Sequence, residues 1–124
     1  MLSLCVVPGR SEASSFVDYD KQYDQCLKDL GGVKNATVEA CSNATSDDVK
    51  TEMNRLYTSL RDRLAKESPD DAAKLEKAQR SWLVYRNSQC ELASTYVGSP
   101  MIAFCPMKLN IARVHELREL LGNE

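Results

Sequence analysis

Four cysteines restrict this chain more than any other feature. They fall as two pairs, Cys26/Cys41 and Cys90/Cys105, with the same separation of 15 positions in each. A glycine bend lies inside each pair, Gly31-Gly32 in the first and Gly98-Ser99-Pro100 in the second. If the flanking segments are helices, each pair faces across an antiparallel hairpin, where Cα atoms come within the ~4.4–6.8 Å that a disulfide needs. Four cysteines allow three connectivities, and this placement favours the local one, each bridge contributing about 3 kcal/mol in the chain-entropy model. The sequence contains no Cys-x-x-Cys, and its single histidine, His115, cannot complete a Cys/His zinc set of familiar spacing. Structural disulfides are therefore expected over thiol chemistry or metal binding.

The fifth cysteine, Cys5, sits in "MLSLCVVPGRSEA". A short apolar run followed by Ser11-Glu12-Ala13 resembles the tail of a secretory signal, with small residues at the −3 and −1 positions before Ser14. Residues 1–13 are therefore read as a signal remnant and residues 14–124 as a single domain. Acylation of Cys5 is the weaker alternative, because Leu4 stands where a lipoprotein signal carries a small residue. Export leaves an even set of four cysteines, which suits an oxidising compartment, periplasmic or extracellular.

The hydrophobic pattern is helical throughout. Phe16, Tyr19, Tyr23, Cys26 and Leu30 recur at steps of three and four, with Ser14 and Ser15 available as caps and Gly31-Gly32 as the stop. A second stripe runs Val38, Cys41, Val49, Met53, Leu56, Leu60, Leu64, with Thr37 as its cap. The polar "NATSDD" at 43–48 can divide it at a second cap, Ser46. "ESPDDAAK" is the clearest helix start: Ser68 as cap, Pro69 in the first turn, Asp70 and Asp71 at the positive helix end. From there Leu75, Ala78, Trp82, Tyr85, Gln89, Leu92 and Tyr96 keep the period to Gly98. The last helix carries Met107, Ile111, Val114, Leu117 and Leu121, and Pro106 either starts it or lies in a turn beginning near Met101. The expected fold is all-α: a small bundle of four helices, or five if the second divides, held by two disulfides. Trp82, Tyr85, Leu56 and Leu60 are expected in its core.

Function classes narrow by exclusion. The net charge is −2 and no Lys/Arg stripe is present, which disfavours nucleic acid. No apolar run approaches the ~20 residues of a membrane span. No nucleophile–base pair, metal set or phosphate loop is legible, so the chain reads as a non-enzyme without a cofactor. Asp47-Asp48 and Asp70-Asp71 lie beside helix starts, where acids are favourable without any chemistry. Asn35-Ala-Thr and Asn43-Ala-Thr match a glycosylation pattern but read as cap and loop residues.

Two groups of side chains remain, one structural and one a candidate for recognition. Gln79, Arg86, Gln89 and Arg113 are expected to form a polar clasp between the last two helices, since two arginines brought close need carbonyl, amide or acidic partners. The tethered stretch 94–101 places Tyr96, Gly98, Ser99, Pro100 and Met101 near a tip. It either contacts a partner or seals the end of the bundle.

Taken together, Cys26, Cys41, "MNRLYTSLRDRL" at 53–64, "AQRSWLVYRNSQC" at 78–90, Gly98-Ser99, Cys105 and Arg113 with Leu117 resemble the lysozyme-inhibitor LprI-like N-terminal domain family of secreted bacterial proteins. The resemblance covers roughly residues 20–121. Members often carry acids where this chain has Asn87 and Gln89, and a threonine where it has Asn110. The resemblance implies an exported, disulfide-linked helical domain with a protein partner. A lysozyme bound by direct contact is the first expectation, and a cell-envelope adaptor with a different protein partner is the alternative. Oligomeric state is left open.

Overall fold

A computed structural model describes residues 16–122. It contains four helices: α1 (Tyr19–Asp29), α2 (Asn35–Glu67), α3 (Pro69–Tyr96) and α4 (Met101–Leu121). The signal-remnant reading of residues 1–13 and the caps expected at Ser14 and Ser15 lie outside the described residues. Helix α1 is capped instead by Asp18, whose carboxylate accepts the Lys21 amide at 3.1 Å. It buries Tyr19, Tyr23 and Leu27, one per turn, and ends where Gly31 and Gly32 take φ of +90° and +107°.

Helix α2 runs unbroken for 33 residues, about 50 Å at the α-helical rise, so the division at "NATSDD" does not occur. Within that stretch Thr45 and Ser46 are buried while Asp47 and Asp48 face solvent. Tertiary packing of its inner face overrides the weak helix propensity of the segment. Thr37 acts from inside the first turn: its hydroxyl accepts the Lys34 amide at 2.9 Å and donates to the Gly32 carbonyl at 2.6 Å.

A single residue, Ser68, separates α2 from α3. Its extended backbone breaks the helix, and Pro69 opens the next with Asp70 and Asp71 in the first turn. Helix α3 ends at Tyr96, and Gly98, two residues on, turns the chain with φ of +141°. Helix α4 begins at Met101 and carries Pro106 inside it. Proline cannot donate to the Ile102 carbonyl one turn back, but Ile102 is exposed, so water can take that bond. Gly122, left-handed at φ +78°, closes the helix.

The connections make α2 and α4 parallel, with α1 and α3 antiparallel to them. The core lies chiefly between the parallel pair: Val49, Met53, Leu56 and Leu60 against Met107, Ile111, Val114 and Leu117. Tyr19, Tyr23 and Leu27 cover one side and Leu75 the other. Leu56 and Leu60 are core as expected. Tyr85 is not: it is 53% exposed, and Trp82 is only partly buried at the core's edge. The inward line of α3 is Leu75, Gln79, Trp82, Arg86, Cys90; Trp82 already lies at its trailing edge, so a further three-residue step places Tyr85 about 100° from its centre. Both disulfides have the expected local pairing, with Cα separations of 5.7 Å for Cys26–Cys41 and 5.4 Å for Cys90–Cys105.

Candidate functional site

Because each bridged pair flanks a chain reversal and α2 lies parallel to α4, both disulfides lie at the same end of the bundle. The α1–α2 turn, the first turns of α2, the end of α3 and the start of α4 meet there. A groove of about 190 Å³ runs between α2 and the tip, lined by Asn35, Glu39 and Asn43 on one side and Ser99, Pro100, Ile102 and Ala103 on the other. Asn35, Glu39 and Asn43 are spaced by four, so one helical stripe supplies that wall. The spacing was present in the sequence, but nothing there showed that the stripe would face the tip.

The tip does not seal the bundle. Tyr96, Val97 and Ile102 are 82%, 73% and 66% exposed, while Pro100 and Met101 are half-buried and anchor it. The amides of Val97 and Gly98 both donate to the Ala93 carbonyl, at 2.8 and 3.2 Å. They are spoken for as helix-end bonds. Ser99 differs: it is exposed, and neither its amide nor its hydroxyl has a hydrogen-bond partner among the described residues. The site therefore offers two free donors from one residue, surrounded by apolar side chains, on a loop held at both sides by Cys90–Cys105.

The clasp joins α3 to α4 and reaches α2 as well. Arg113 Nε donates to Gln79 Oε1 at 2.9 Å, and Arg86 Nη1 donates to Asn110 Oδ1 at 3.0 Å. Asn110 passes the connection on, donating from Nδ2 to Ser46 Oγ on α2 at 2.9 Å. Both guanidiniums stand over the Trp82 ring, at 5.3 Å for Arg86 and 5.9 Å for Arg113, so the indole face carries part of the cation stabilisation that acids would supply. Burial pushes the Arg86 pKa below its ordinary value. Gln89 is exposed and takes no part in the clasp, because the inward line passes through Arg86 and Cys90 on either side of it. Asn110 and Ser46, named from the sequence only as a departure from the family pattern and as a possible cap, take its place.

A second polar network was missed entirely. Glu52 and Arg118, 7% and 2% exposed, form a two-pronged ion pair: Nε to Oε2 at 2.9 Å and Nη2 to Oε1 at 2.7 Å. Tyr19 Oη donates to Glu52 Oε1 at 2.6 Å, and Arg118 Nη2 also reaches the Val17 carbonyl at 3.1 Å. Burial alone would raise the Glu52 pKa, but hydrogen bonds from Arg118 and Tyr19 and the arginine charge outweigh it, leaving the carboxyl below its ordinary value. Burial, then the bond to Glu52, drives the Tyr19 phenol well above the usual range. Three helices meet at this carboxylate. Its only legible signal was a glutamate one position before Met53 in the apolar stripe, where solvent exposure is the ordinary reading.

Among the described residues, no three His, Cys, Asp or Glu side chains gather to hold a metal ion. No helix among them is long and apolar enough to cross a membrane.

The family model described as "Lysozyme inhibitor LprI" matches residues 23–117. The chain belongs to the LprI lysozyme inhibitor family. No curated protein and no solved structure matches it. The LprI match encloses all four bridged cysteines, the tip and the clasp. Of the buried triad it encloses Glu52 alone, since Tyr19 lies before it and Arg118 follows its last residue. LprI membership implies a protein partner, and the two disulfides fit an oxidising compartment.

Proposed function

We propose that this LprI-family protein is exported and inhibits a muramidase by direct contact, its stapled tip entering the enzyme's substrate cleft. The observation that supports this most is the free pair of donors on Ser99 amid exposed Tyr96, Val97 and Ile102. Muramidases work with two carboxyl groups in a cleft. The Ser99 amide and hydroxyl are suited to such groups, and the apolar neighbours can pack on the cleft walls. A loop tethered by a disulfide loses little conformational entropy on docking, which favours affinity.

The test is clearance of a bacterial cell suspension by chicken-type, goose-type and invertebrate-type lysozymes. At least one enzyme should be slowed by the purified, oxidised protein. Ser99→Asp, which sets a negative charge against the cleft carboxylates, should weaken that inhibition by about tenfold or more. No slowing of any of the three at about tenfold molar excess ends the proposal. An envelope adaptor is the second reading. It is favoured by the exposed helix surface around Arg61, whose guanidinium lies 5.9 Å from the Tyr57 ring centre. Under that reading Arg61→Ala abolishes capture of a non-lysozyme envelope protein and Ser99→Asp has no effect.

A further inference from the structure

Helix α3 is 28 residues long yet buries only Leu75 and Cys90. One flank carries a stripe that nothing in the monomer covers: Ala78, Ser81, Tyr85, Ser88, Leu92 and Tyr96, all exposed. Steps of three and four residues place them in one sector of the helix surface. Tyr85, Leu92 and Tyr96 are 53%, 54% and 82% exposed. No charged side chain interrupts the stripe, in a chain of which 27% is charged.

Along the helix its side chains run small, small, large, small, large, large. Read from the other end, the order is large, large, small, large, small, small. An antiparallel copy therefore sets a large side chain against a small one at every position. About a two-fold axis between Arg86 and Asn87, Tyr96 falls over Ala78 of the second copy, Leu92 over Ser81, and Tyr85 over Ser88. A two-fold interface needs this self-complementarity, because the same patch serves both sides. A partner of unrelated sequence would not require it. With no charge in the stripe, the two-fold brings no like charges together.

We propose that α3 pairs with α3 of a second copy of this chain, antiparallel, to form a two-fold dimer. The stripe offers about 500 Å² per copy, so the pair buries about 1,000 Å², the lower bound for a specific interface and the mark of a weak dimer. The dimer and the proposed lysozyme contact share Tyr96, but association is read without any lysozyme present, so either reading can fail while the other stands.

Sedimentation equilibrium of the oxidised full chain, over about 1 µM to about 1 mM, reads the outcome directly. The average mass should rise from 13.9 kDa towards twice that value with concentration. Leu92→Lys and Tyr85→Lys, both at exposed positions, should each weaken association by about tenfold or more. Val33→Lys, exposed in the α1–α2 turn, should leave association unchanged, with circular dichroism and disulfide mapping confirming the fold of every variant. A 13.9 kDa species alone at the highest concentration overturns the proposal. So does a dimer that survives both stripe substitutions, or one that only Val33→Lys disrupts.

Discussion

Glu52 is the residue on which most long-range structure converges. Its carboxylate holds Arg118 of α4 and Tyr19 of α1, and the Val17 carbonyl and the Phe16 ring also lie against the arginine. Removing one partner of a buried pair leaves the other charge uncompensated, so Glu52→Gln should cost about 3–5 kcal/mol in urea unfolding. Adding Arg118→Met should recover part of that loss, since the orphaned charge is then gone. The pH dependence has a definite sign. The folded pKa of Glu52 lies below its unfolded value, so its contribution is complete above the unfolded value and disappears as pH falls through the folded one. Unfolding free energy should therefore decline below about pH 4, and Glu52→Gln should flatten that decline. Equal slopes for the two proteins would show that other carboxylates govern acid unfolding.

At the scale of elements, α3 and α4 are joined by polar chemistry where a bundle ordinarily uses apolar contact. Arg86 and Arg113 occupy inward positions and Trp82 lies beneath both. That arrangement displaces Tyr85 outward. Asn110 is the hinge of the clasp, accepting from Arg86 and donating to Ser46 while itself 1% exposed. Asn110→Ala leaves the buried Ser46 hydroxyl without its partner and takes one hydrogen bond from the half-buried Arg86, which keeps its two to Asn87, and should cost about 1–3 kcal/mol in thermal or urea unfolding. Each disulfide should be worth about 3 kcal/mol by the loop it closes, read as the stability lost in Cys26→Ala/Cys41→Ala and in Cys90→Ala/Cys105→Ala. Helix boundaries were mostly legible: Ser68-Pro69, Gly31-Gly32 and Gly98 all stop or start helices in the structure. The continuity of α2 was not, because the inner face of Thr45 and Ser46 has meaning only beside α4.

Over the whole molecule, stability is distributed unevenly. Helices α2 and α4 carry the core, and α3 leans on it through Leu75, the clasp and one disulfide. Amide hydrogen exchange should therefore be slowest in α2 and α4 and fastest, among the helices, in the C-terminal half of α3. Selective loss of Cys90–Cys105 should raise exchange there and at the tip, and should weaken any lysozyme inhibition while α2 keeps its protection. Uniform exchange across all four helices would contradict this division.

The sequence by itself determined the helices, the stops between them and the local pairing of cysteines. These depend on period, caps and glycine conformations that a short segment carries within itself. The tip and half the clasp were legible for the same reason: Gly98 and the bridged cysteines mark the first, and two arginines on neighbouring helices mark the second. Only the tertiary structure decided which of Tyr85 and Arg86 turns inward, that Gln89 yields its place to Asn110, and that Glu52 finds Arg118. A side chain's polarity does not tell it where to go. Burial of a charge depends on a partner 66 positions away in the chain, and that partner exists only once three helices have packed.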